Sequence, residues 1–226
     1  MDFLDGVRGP LLWISIAVFV AGGAWRLLWL WRMPRGPAPG GRARRPFGPG
    51  AAMDLALARF LPPGGFRSSA TLATFNPYVF HIGLALVFFG YGPHIAFIRR
   101  LTGLGWPALP DGVIYFAAAA TIVSLLMALM FRLADPVLRR ISRADDLITW
   151  TLTMLPLLTG MAILGESSAA ILARDHPVYR TPLALHLLSL ELLLVWFPFG
   201  KLMHAFLVLP ARLQLATYFG RRGVTS

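Results

Sequence analysis

Apolar residues in this chain come in long runs, not in the two-residue alternation of strands or in short one-faced helical stripes. Five runs reach the roughly 20 mostly apolar residues that a helix needs to cross a bilayer. They cover about 10–31, 78–98, 113–131, 147–164 and 183–208. Each is apolar around the whole helix circumference, as helices facing lipid or fully buried are. The pattern predicts an all-α integral membrane protein. A single membrane domain, 1–226, forms a bundle of five transmembrane helices, and no internal repeat is visible.

The polar positions between the runs set an orientation. Only 14% of residues are charged, against about 25% in soluble domains. The net charge of +11 comes from arginines gathered beside the runs. Arg8, Arg99, Arg100, Arg174 and Arg180 fall on one side, whereas Arg42, Arg44, Arg45, Arg139, Arg140, Arg143, Arg221 and Arg222 fall on the other. Basic residues collect on the cytoplasmic face. The expected protein is therefore multi-pass in a bacterial or archaeal cytoplasmic membrane, with its N-terminus outside and its C-terminus in the cytoplasm. The first run lacks a basic leader and an Ala-x-Ala-like cleavage site. It ends in Trp25, Trp29 and Trp31 with Arg26 and Arg32, an interfacial belt with basic anchors. The long basic loop 33–77 includes a Pro/Gly/Arg stretch and, at 53–61, a short interfacial helix. It reads as a solvated loop or as a docking surface for a cytoplasmic subunit or anionic lipid.

Within this frame the histidines stand out, because ionisable groups inside a membrane are costly. Of His81, His94, His176, His186 and His204, four lie near the ends of the second and fifth runs. The two helices run antiparallel, so His81 and His204 share the inner depth and His94 and His186 the outer depth. Facing helices of a bundle can supply two axial imidazoles to a haem iron. His81 to His94 spans roughly 20 Å of helix and His186 to His204 roughly 27 Å, enough for two stacked haems. His186 and His204 fall on one face of a continuous helix, whereas His81 and His94 are about 140° apart. Gly90-Tyr-Gly-Pro93 between them permits a kink. Interhelical hydrogen bonding or headgroup contact is the alternative role. His176 lies in a polar outer segment and is not expected to be a ligand. Cysteine is absent, so this chain holds neither an iron–sulfur cluster nor covalently attached c-type haem.

The histidine motifs Phe80-His-Ile-Gly-Leu84, Leu185-His-Leu-Leu188 and Phe197-Pro-Phe-Gly-Lys-Leu-Met-His204 resemble those of a known family. It is the di-haem cytochrome b gamma subunit of respiratory nitrate reductase, with related membrane cytochrome b subunits of sulfur-metabolising complexes. The resemblance covers the second to fifth runs. It implies a membrane subunit that takes electrons from quinol near an outer haem b. They pass inward to a cytoplasmic iron–sulfur and catalytic partner. It implies His81 and His204 as ligands of the inner haem and His186 as one ligand of the outer haem. The family's fourth ligand falls at Tyr91, and His94, one turn further on, is the substitute.

The family's quinone-site lysine has no counterpart in Leu109-Pro-Asp-Gly-Val-Ile-Tyr115. Tyr91, Arg99 and Asp111 are positional candidates for a quinone site. Asp111 also reads as a helix cap and Arg99 as an interfacial anchor. Lys201, Arg26 or Arg132 suits a haem propionate, or snorkels to the headgroups. Glu191, deeper in the fifth run, carries protons or hydrogen-bonds another helix. Ala117 to Ala120 reads as a close helix contact. Nothing in the chain suggests catalysis by itself. Two other classes stay open: a haem-free anchor that recruits a cytoplasmic complex, and a transporter using His186 and Glu191.

Overall fold

The computed structural model describes residues 3–33, 48–58, 71–164 and 177–221. His176, the loop arginines 35–45 and the end of the expected 53–61 helix lie outside them. The described residues are mostly helical, with no strand among them. We number the helices α1 Phe3–Arg32, α2 Pro49–Ala58, α3 Thr71–Gly90, α4 Gly92–Thr102, α5 Asp111–Ala134, α6 Pro136–Ile141, α7 Ala144–Ile163, α8 Pro177–Trp196 and α9 His204–Arg221. Four helices are long and apolar enough to cross a membrane: α1, α3, α5 and α7. The bent pair formed by α8 and α9 makes a fifth if its two helices count as one span. Their outward side chains are large and apolar, including Trp13, Val20, Phe116 and Met130, as a lipid solvent requires.

The helix ends follow local chemistry. α1 starts well before residue 10, and Pro10, which has no N–H to give, is absorbed in a π turn at Val7–Leu11. Asp135 caps α6 by accepting from the backbone N–H groups of Val137 (2.7 Å) and Leu138 (3.1 Å). Gly103, at φ 78°, ends α4 in the left-handed conformation that glycine adopts without strain. α3 begins at Thr71, which shortens the loop expected over 33–77.

Both histidine-bearing runs are interrupted. The second breaks at Tyr91, which is extended (φ −78°, ψ 130°) before Pro93 restarts the chain as α4. This is the kink that Gly90-Tyr-Gly-Pro93 suggested. The fifth was expected as one continuous helix over 183–208, and this is corrected. It stops at Trp196, turns through Phe197–Gly200 and a 3₁₀ turn at Lys201–Met203, and resumes as α9 at 77° to α8. Pro198 sits at the corner, fully buried. A Cβ on Gly22 of α1 would come within 2.7 Å of its ring.

Close packing joins α3 to α5, α8 to α7, α8 to α1, α5 to α7 and α9 to α2. Of the expected Ala117–Ala120 contact, Ala117 takes part and Ala119 is exposed. Gly83 of α3 lies against the Ala117 carbonyl and the Thr121 side chain of α5. Two residues are about 200° of helix rotation, so contact through Gly83 turns His81 away from α5. α3 and α8 are not among the closely packed pairs; between them lie the histidines.

Candidate functional site

The four histidines meet in two pairs. His81 of α3 faces His204 at the start of α9, with ring centroids 6.0 Å apart and planes at 88°. His94 of α4 faces His186 of α8, with centroids 6.1 Å apart and planes at 13°. The near-parallel rings are too far apart to overlap face to face, since carbon atoms in contact stand about 3.5–4.0 Å apart. The pairs are the ones expected from depth. The His81–His204 pair arises differently, because the bend, not a shared face of one helix, brings His204 to His81.

Each imidazole is held by its Nδ1. In His81 this atom is 2.6 Å from the Pro77 carbonyl, in His94 3.1 Å from the Val87 carbonyl, and in His204 2.9 Å from the Lys201 carbonyl. A carbonyl only accepts, so Nδ1 carries a proton, and in the neutral ring the lone pair is then on Nε2. His186 reaches the same tautomer through hydroxyls. Thr159 donates to the Leu155 carbonyl (2.7 Å) and Ser189 to the His186 carbonyl (2.6 Å), which uses their single hydrogens. The 3.1 Å contact between Thr159 Oγ1 and His186 Nδ1 therefore has the ring as donor.

The break in α3 makes His94 available. Two carbonyls of the last turn take partners from outside the helix there. Phe89 receives the Trp106 indole N–H at 2.6 Å and Gly90 the Leu109 N–H at 2.9 Å, while Val87 accepts both the Tyr91 N–H at 3.4 Å and the His94 ring. Gly160 of α7 leaves room for His186; a Cβ there would stand 3.1 Å from Cε1.

The other sequence candidates are dispersed. Tyr91 is buried in an apolar cluster with Ile114, Leu183 and Ala184, its ring 5.3 Å from that of His94. Arg99 lies in the last turn of α4 and Asp111 is exposed at the start of α5. A cavity of about 240 Å³ at this end is lined by Leu86, Phe89, Trp106, Pro107 and Leu109, and by none of the three. At the other end Arg26 donates to the Pro198 carbonyl (3.0 Å), while Lys201 and Arg132 both pair with Asp146. Sequence reasoning missed Asp146, whose signal was its place three residues after Arg143, in a capping box. Glu191 is buried, and neither carboxylate oxygen has a hydrogen-bond partner among the described residues. Nor do three or more His, Cys, Asp or Glu side chains gather there into a metal-binding group. The histidines come in twos.

The chain is similar to a protein of Nitratidesulfovibrio vulgaris strain Hildenborough. They are 30% identical over 228 residues, which take in 96% of this chain and 94% of the relative. No family model matches the chain.

Proposed function

The chain belongs to one family with the Nitratidesulfovibrio vulgaris protein, and we propose that it is a membrane cytochrome b subunit. It exchanges electrons between the quinone pool and a cytoplasmic iron–sulfur or catalytic partner. His81 and His204 would hold one haem b, and His94 and His186 a second. The observation that carries this reading is the facing of two imidazole pairs, all four with Nδ1 protonated and Nε2 available.

The donor set fits the group. A bis-histidine haem takes two protein ligands, so a cluster of three or more is not required. Imidazole–metal bonds of about 2.0–2.1 Å on opposite sides of one ion put the ring centroids about 6 Å apart. Both pairs have that separation. When bound, haem supplies a one-electron redox centre that an apolar bundle otherwise lacks. The protein's part is to place the ligands, and the Nδ1 hydrogen bonds fix each ring and raise the basicity of its Nε2. With the N-terminus outside, the His81–His204 pair lies toward the cytoplasm and the partner, and the His94–His186 pair toward the outside.

The test is a visible spectrum of the detergent-purified protein before and after dithionite. A b-type alpha band in the reduced protein, lost in part in His81→Ala and in His204→Ala, is expected. A spectrum with no haem band in protein purified from a haem-replete host overturns the reading and leaves a haem-free anchor.

A further inference from the structure

We propose that Asp146 is a positioning residue for His204. Through its ion pair with Lys201 it fixes the turn that presents the His204 imidazole, and so sets the redox potential of the centre held by His81 and His204. This rests on the haem reading above.

In a continuous helix, backbone hydrogen bonds would fix His204. Here the helix is interrupted over Phe197–Gly200, and a single 3₁₀ turn, Lys201–Met203, precedes His204. Short 3₁₀ turns have poorer hydrogen-bond geometry than an α-helix. Side chains must therefore supply what the backbone does not. Asp146 is placed for this. Its carboxylate is buried and anchored to its own side of the bundle. Oδ2 accepts from the Arg143 backbone N–H at 2.9 Å, and Oδ1 lies 3.2 Å from Arg132 Nη1. Arg132 also donates to Ser142 Oγ at 2.9 Å, and Ser142 to the Leu138 carbonyl at 2.7 Å. The end of α5, α6 and the start of α7 thus form one hydrogen-bonded frame.

Lys201 reaches this frame from across the bend. Its Nζ pairs with Asp146 Oδ1, and Asp145 Oδ2 stands 4.0 Å away. Its carbonyl accepts from His204 Nδ1 at 2.9 Å. One residue therefore ties the frame by its side chain and the imidazole by its backbone. The Asp146 side chain is only 5% exposed, against 52% for Lys201. Removing Lys201 leaves the buried Asp146 carboxylate paired with Arg132 and no longer tied across the bend, unlike loss of a pair in which both partners are exposed.

Two effects on the potential can be told apart by sign. If the turn relaxes, the Nδ1 hydrogen bond weakens and Nε2 becomes a poorer donor. That disfavours ferric iron and raises the potential. A purely Coulombic effect depends on the charge removed. Loss of the aspartate's negative charge raises the potential, and loss of the lysine's positive charge lowers it. Positioning predicts an upward shift for both Asp146→Asn and Lys201→Met.

The experiment is a reductive titration of the purified protein followed at the alpha band. It is done in a His94→Ala background, where only the His81–His204 pair can hold haem. Asp146→Asn and Lys201→Met are each expected to retain haem. Each is expected to change the oxidised-to-reduced ratio by at least roughly threefold, about 30 mV upward for one electron. Lys201→Arg, which keeps the pair, is expected to titrate like the parent. Shifts of opposite sign in the aspartate and lysine variants, or no shift in Lys201→Met, overturn the proposal even if Asp146→Asn does not fold. A parent without a haem band fails the cytochrome reading instead.

Discussion

Gly160 of α7 touches the His186 imidazole of α8: a Cβ at residue 160 would stand 3.1 Å from Cε1 and 3.5 Å from Nδ1. The same edge of the ring is held by Thr159 Oγ1, 3.1 Å from Nδ1, so α7 sets the ring's place through two adjacent residues. A small residue at this point is part of how His186 is aimed at His94.

Gly160→Leu is expected to push the ring out of line and abolish haem at the His94–His186 pair. Haem-to-protein stoichiometry then falls from about two to about one. Gly160→Ala asks for a displacement of only a few tenths of an ångström and is expected to keep both haems with an altered alpha band. Pyridine haemochrome assay against protein concentration checks both.

How far the sequence foretold this site can be read at its two breaks. At residues 90–93 two glycines and a proline fall within four positions, and the structure breaks there. At 197–200 the same ingredients are thinner, Pro198 and Gly200 only. Proline alone was no guide, because Pro77, Pro156, Pro182 and Pro210 all lie inside helices. What makes Pro198 a corner is tertiary: it packs on Gly22, and its carbonyl accepts from Arg26. The pairing of histidines by depth survives the break because it depends on which end of each run carries which residue. The shared-face argument for His186 and His204 assumed a straight helix and does not. Asp146 escaped notice because a capping aspartate and an ion-pair anchor look alike until Lys201 is folded back onto it.

The contact between α3 and α5 yields a second prediction. A side chain at Gly83 would strike the Thr121 hydroxyl and approach the Ala117 carbonyl at 3.1 Å. The carbonyl is backbone and cannot swing away. Gly83→Val is expected to destabilise the bundle by about 1–3 kcal/mol and to lower haem content at the His81–His204 pair. Gly83→Ala is milder, and Thr121→Ala should restore part of its loss by removing the hydroxyl. Thermal unfolding in detergent, followed by circular dichroism, checks the order.

The same pair of helices is tied by polar groups nearer the start of α3. Asn76 Nδ2 donates to the Ser124 carbonyl at 2.9 Å, and Ser124 Oγ lies 2.8 Å from Asn76 Oδ1 and 2.9 Å from its carbonyl. Both residues are buried. Hydrogen bonds between membrane helices contribute about 0.6 kcal/mol on average and up to about 1.7. Asn76→Leu is expected to lower stability within that range while leaving the reduced spectrum unchanged, because Asn76 touches neither histidine pair. A lost alpha band would show that α3 is positioned by this tie and not by Gly83.

Tyr91 and His94 allow the ligand substitution to be tested directly. Tyr91 occupies the position at which the resembling family places its fourth ligand. Here it is buried among Ile114, Leu183 and Ala184, at the point where α3 stops. The restart at Gly92 carries the His94 ring to 6.1 Å from that of His186, so the break in the helix is what pairs the two. Tyr91→Phe keeps the ring and its packing and is expected to retain both haems. His94→Ala removes the proposed ligand and one of the two donors to the Val87 carbonyl, and is expected to lose one haem while His81 and His204 keep theirs. One haem per chain in both the wild type and His94→Ala would overturn the assignment of His94 as a ligand and leave a single haem at the bend.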